Sequence, residues 1–154
     1  MRIRDVRTDD LEFLREMSLE AMSWRGDGNP TDVPEMAAYL REWGLPGDAA
    51  LIAEDEDRLG AAWYRLHSAA EPGYGFVRED VPEVGIAVAR NHRGRGVGRG
   101  LMDALIAHAR DAHLPGLSLS VEDGNQAAAR LYAATGFERL HRNGNAWTMV
   151  LWLR

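Results

Sequence analysis

Eleven residues between a short apolar strand and an amphipathic helix constrain this chain more than any other stretch. They read Arg90-Asn91-His92-Arg93-Gly94-Arg95-Gly96-Val97-Gly98-Arg99-Gly100. Glycines let backbone N–H groups come close to an anion, and a helix N-terminus adds partial positive charge at the same place. Arginines 90, 93, 95 and 99 are concentrated here, although the chain as a whole carries 18 basic against 24 acidic residues, a net charge of −6. Cations gathered on a glycine turn at a helix start point to a polyphosphate ligand. The overall negative charge argues against duplex nucleic acid or an anionic membrane as partner.

The neighbouring segments give this turn a frame. Residues 84 to 88 read as a short buried strand, 98 to 112 as a helix with Leu101, Leu105 and Ile106 on its apolar stripe, and 117 to 121 as another strand. Strand, helix, strand implies a parallel crossover. Upstream, residues 3 to 6 form an opening strand, and Thr8 caps a helix whose stripe is Leu11, Leu14, Met17 and Ala21. A second helix is expected from Pro34 to about Trp43. Residues 49 to 53 and 59 to 66 make a hairpin through an acidic, solvated turn, and 67 to 80 form a loop that exposes aromatics. Asn125 opens a last helix, and a terminal hairpin turns at Asn143-Gly144.

With 154 residues the chain fits one domain, 1–154. No signal core or long apolar run is present, so a cytoplasmic protein with no membrane partner is expected. The absence of cysteine and lysine excludes thiolate nucleophiles, zinc-cysteine sites, Schiff-base lysines and Walker A loops. The five histidines show no metal-ligand spacing, so no metal is expected. A Rossmann G-x-G-x-x-G fits in neither frame, because Gly94-x-Gly96 leads to Arg99 and Gly96-x-Gly98 to Leu101. Glu122, after the next strand, keeps a dinucleotide-binding oxidoreductase open as an alternative.

The spacing Arg93-x-x-Gly96-x-Gly98 resembles the pyrophosphate motif R/Q-x-x-G-x-G/A of the GNAT superfamily of acetyl-CoA-dependent N-acetyltransferases. Asn125-x-x-Ala128-x-x-Leu131-Tyr132-x-x-x-Gly136-Phe137 is similar to that family's second coenzyme segment, and the specific match covers about residues 83 to 137. The extra glycine at 100 departs from the commonest pattern. The resemblance implies an α/β fold: one domain with a mixed, mostly antiparallel twisted sheet of about seven strands, a splayed central parallel pair, and about four flanking helices. It implies acetyl-CoA as acyl donor, held by Arg93, Gly94, Arg95, Gly96, Val97, Gly98 and Arg99 at the pyrophosphate. Ile86, Ala87 and Val88 would line the pantetheine slot, with Asn125 and Tyr132 beside the arm.

Direct attack of an amine on a thioester needs a neutral amine, a stabilised oxyanion and a proton for the departing thiolate. By resemblance Tyr132 is the acid. Glu83 is the leading base, ten residues before Arg93, with a water chain or another carboxylate as alternatives. Alternation puts Glu83, Gly85 and Ala87 on one strand face, where the small partners would leave room for substrate. The amide near Val88 would polarise the thioester carbonyl. Trp24, Tyr74 and Phe76 are expected to contact an amine acceptor whose identity is open. The rival reading on the same fold is a non-catalytic acyl-CoA-binding module. Trp147 and Trp152 of the terminal hairpin would pair across a homodimer.

Overall fold

A computed structural model of the chain describes residues 1–22 and 42–154. Its strands are β1 (Arg2–Asp5), β2 (Ala49–Glu54), β3 (Arg58–Arg65), β4 (Glu83–Val88), β5 (Gly116–Glu122), β6 (Glu138–Asn143) and β7 (Ala146–Trp152). The described helices are α1 (Leu11–Met22), α2 (Val97–Asp111) and α3 (Gln126–Ala134), with 3-10 turns at Thr8–Asp10 and Arg90–His92. The helix expected from Pro34 lies outside the described residues, except for its last two positions, Glu42 and Trp43, which form a turn.

The seven strands form one sheet in the order β1-β2-β3-β4-β5-β7-β6. Every pairing is antiparallel except β4 with β5, the pair joined through α2. Strand alternation then sorts side chains onto two faces. Val84, Leu117, Leu119, Val121 and Met149 meet the α2 stripe of Leu101, Met102, Leu105 and Ile106 on one side. Ile52, Ala61, Trp63 and Ala87 meet Leu14 and Met17 of α1 on the other. Leu101 and Leu105 are wholly buried, each contributing about 2 kcal/mol by leaving water.

Two local expectations change. Thr8 is not a cap: it begins the 3-10 turn Thr8–Asp10 that leads into α1, and the cap position of that turn is Arg7, whose N–H donates to the carboxylate of Asp10 at 2.7 Å. Asp10 is fully buried, and Arg4 of β1 and Arg58 of β3 both reach it. The terminal turn is centred on Gly144-Asn145, one residue later than expected, since Asn143 pairs with Ala146 across the ladder. Gly144 has φ +62° and is the position where the turn needs glycine.

Candidate active site

The central parallel pair opens into a slot. Among the described residues the β4–β5 ladder consists of one partner pair, Glu83 with Ser118, next to the bond from the Ser118 N–H to the Pro82 carbonyl at 3.0 Å. On its other edge β4 is paired with β3 along its whole length. The Ala89 N–H donates to the Leu59 carbonyl at 2.9 Å, which sets the phase of that ladder. Residues 83, 85 and 87 therefore spend their backbone groups on β3, and those of Val84, Ile86 and Val88 face the slot. The edge that an extended pantetheine arm could pair with thus belongs to Ile86 and Val88. Ala87 lines the cleft, but its amide is committed to β3 and its side chain packs in the α1 cluster.

The wide end of the slot runs into the cradle. Gly94 and Gly96 have φ of +77° and +79°, and a Cβ on either would meet nothing within 4 Å. The first bond of α2 runs from the Gly100 N–H to the Gly96 carbonyl at 3.1 Å, so the amides of Val97, Gly98 and Arg99 have no intrahelical acceptor. Open space over left-handed glycines, bordered by orphan amides at a helix start, is a fit for a pyrophosphate. Glu20 of α1 ties Arg90 and Arg93 together at 2.8 Å each, and Arg99 pairs with Asp103 at 3.2 Å. These are exposed pairs that an incoming phosphate can compete with. Arg95 contacts His92 and does not line the cleft. Gly96→Ala is expected to cost about 1 kcal/mol through its left-handed φ and to weaken acetyl-CoA several-fold. Chemical denaturation and calorimetric titration would check the two effects separately.

Asn125 caps α3 by accepting from the Ala128 N–H at 3.4 Å, and it lines the same cleft. Two turns further, Tyr132 is buried against Phe137, with ring centroids 6.1 Å apart. Burial pushes its phenol up to about 12, so the hydroxyl keeps its proton at any physiological pH. Among the described residues that hydroxyl forms no hydrogen bond.

Glu83 starts β4 on the opposite face and is also buried. Its Oε1 accepts from the Gly75 N–H, and its Oε2 lies 3.3 Å from His67 Nε2. The segment Gly73-Tyr74-Gly75 is pressed onto it. A Cβ at Gly73 would sit 2.1 Å from Oε2, and one at Gly75 would sit 2.5 Å from the Leu119 carbonyl carbon. Asn143 of β6 holds this strap by donating to the Tyr74 carbonyl at 3.0 Å. The space expected over Gly85 is not free for substrate: the Trp63 ring, across the ladder, fills it to 2.4 Å of an added Cβ.

The result is one cleft of about 810 Å³ that brings together Glu83, the slot edge, the cradle, Asn125 and Tyr132. Tyr74 lines it. Phe76 does not, and lies in a separate shallow depression with Val77 and Arg78. Trp24 falls outside the described residues. The sequence reading did not single out His67, Glu20 or Asn143 for this cleft. Alternation beyond β3, which puts Trp63, Arg65 and His67 in one phase, is the signal that could have found His67. Among the described residues no cluster of three metal-ligating side chains occurs, and no helix is long and apolar enough to cross a membrane.

Comparison with known proteins agrees with this geometry. The pattern of the acetyltransferase (GNAT) family matches residues 12–137. A mycothiol acetyltransferase of Rhodococcus jostii is 33% identical over 141 residues, covering 86% of this chain and 43% of its own length. One from Thermobispora bispora is 37% identical over 117 residues, covering 70% and 39%. The chain spans about two fifths of the length of these curated relatives. Among solved structures, a ribosomal-protein-alanine N-acetyltransferase from Brucella melitensis superposes with TM-score 0.71 at 25% identity, covering 99% of this chain and all of that one. A Salmonella typhimurium acetyltransferase structure holding acetyl-CoA shares the fold, with TM-score 0.73 at 24% identity and coverage of 100% and 94%. With its slot, cradle and family pattern in register, the chain belongs to the acetyltransferase (GNAT) family.

Proposed function

We propose that this chain transfers an acetyl group from acetyl-CoA to a primary amine by direct attack, with Tyr132 as the acid. The observation that carries the reading is the single cleft in which the open edge of β4, the orphan amides of α2 and the Tyr132 phenol converge. Val97, Gly98 and Arg99 amides and Arg93 hold the pyrophosphate. Ile86 and Val88 pair with the arm and aim the thioester carbonyl, the Val88 N–H polarising it. Tyr132 then protonates the leaving thiolate, while Glu83 marks the end of the cleft where the amine loses its proton.

The proposed acceptor is cationic, in keeping with the net charge of −6. The protein is proposed to work in the cytoplasm, where no nucleic acid or membrane is its partner. A homodimer would bury Trp152, which is 45% exposed beside Arg78, whereas Trp147 is already flanked by Arg139 and Arg142.

Free thiol release from acetyl-CoA, measured against a panel of polyamines, amino acids, N-terminal peptides, aminoglycosides and mycothiol-type amines, tests the reading. Release that depends on one amine class supports it. Acetyl-CoA binding with no release above background for any amine favours the non-catalytic module.

A further inference from the structure

The acyl end of a bound donor has few directions open to it. An arm that pairs with Ile86 and Val88 runs from the cradle end of β4 toward the end where Glu83 pairs with Ser118. Straight ahead the slot is therefore shut by strand pairing. Toward α2, the buried Val84 and Tyr132 belong to the packed core. Toward α1 the wall of β4 is nearly bare, because Gly85 has no side chain and Ala87 a single methyl group. One side chain occupies that hollow. Trp63 of β3 lies directly across the ladder from Gly85 and lines the cleft, with three ring atoms 2.4 to 2.5 Å from where a Cβ on Gly85 would be. Trp63 is 4% exposed and packs in one cluster with Leu14 and Met17 of α1, so its ring is held from behind.

We propose that Trp63 sets the acyl-chain limit of this site, admitting an acetyl group and excluding a butyryl chain. The assignment rests on the acetyl-transfer reading and adds to it the class of donor, an acyl group of two carbons. The indole is the wall that the acyl carbons meet beyond the thioester carbonyl. An extra methylene must either displace a ring that is held from behind or stay off the wall and carry the carbonyl away from the Val88 N–H. In a closely packed pocket a mismatch of one methylene changes kcat/KM by about 10-fold or more. Gly85 belongs to the same device: a side chain there would push the ring off β4, and its absence lets the ring settle where it closes the hollow.

Thiol release from acetyl-, propionyl- and butyryl-CoA, with an amine that gives turnover, tests the limit. Wild-type kcat/KM is expected to fall at least about 100-fold from acetyl- to butyryl-CoA, a difference of two methylenes. Trp63→Phe should narrow that ratio about fivefold and Trp63→Leu about 30-fold, in the order of the space each opens. Trp63→Phe keeps an aromatic ring against Leu14 and Met17, and a cooperative thermal melt of each variant separates a widened pocket from a lost fold. Titration calorimetry needs no acceptor: the wild type should bind butyryl-CoA at least about tenfold more weakly than acetyl-CoA, and Trp63→Leu should close the gap. Equal use of both donors by the wild type, or a ratio that neither folded variant changes, overturns the assignment and leaves acetyl transfer standing. No turnover by the wild type with any amine overturns the acetyl-transfer reading, and the calorimetric gap then decides for or against Trp63 on its own.

Discussion

Tyr132→Phe is expected to lower kcat by about 100- to 1,000-fold while acetyl-CoA binds within about twofold of its normal affinity. The ring stays packed on Phe137, so the wall of the cleft keeps its shape and only the proton is lost. That rate loss corresponds to about 2.7–4 kcal/mol of transition-state stabilisation. The pH dependence carries a second, independent signature. Burial holds the phenol at about 12, and its acid form is the working one, so the rate should show no alkaline limb near the ordinary tyrosine value of about 10. The same sign applies to stability: a raised phenol contributes below the unfolded value and is lost only as pH climbs through the folded one. Stopped-flow thiol release with titration calorimetry checks both effects. Unchanged turnover in Tyr132→Phe would remove the residue from the chemistry.

What was legible in the sequence follows the range of the interactions. The crossover from β4 through α2 to β5 was visible because each piece carries its own period and the glycine turn marks where the helix begins. The Asn125 cap lies at the start of its own helix and was equally local. The contacts that escaped are long-range. Glu20 reaches Arg90 and Arg93 from 70 and 73 residues away, so the arginines of the cradle arrive already partnered. Trp63 fills the space above Gly85 only because the β3–β4 register sets the two side by side, and alternation along β4 alone cannot show that. Gly100, a departure from the family pattern, fits against Met1 and Ile3 at the far edge of the sheet, where an added Cβ would come within 3.0 Å of Met1. His67 follows β3 in the chain and comes to Glu83 only through the pairing of β3 with β4.

Asp10→Ala is expected to destabilise the fold by about 3 kcal/mol, the larger of the two stability effects predicted for this chain. Asp10 is wholly buried and accepts from Arg4 at 2.7 and 2.9 Å, from Arg58 at 2.9 Å and from the Arg7 N–H at 2.7 Å. Removing it leaves a nearly buried Arg4 guanidinium without its main counter-charge and frees the amide that caps the 3-10 turn leading into α1. The loss stays at the low end for a broken buried pair because Arg58 is 38% exposed and can turn to water. The hydrogen bonds from Arg4 hold the carboxyl well below the usual carboxylate range, which fixes the sign with pH. A lowered folded value means the contribution is complete above the unfolded carboxylate value of about 4 and fades as pH falls below it. The gap between wild type and Asp10→Asn in urea midpoint should therefore be wide at pH 7 and narrow progressively below pH ~4. A gap that stays constant down to pH ~2 would mean that shape rather than charge makes the site. Because α1 starts at this cluster and ends by offering Glu20 to the cradle arginines, the variant should also show weaker acetyl-CoA binding, transmitted along a helix that touches both.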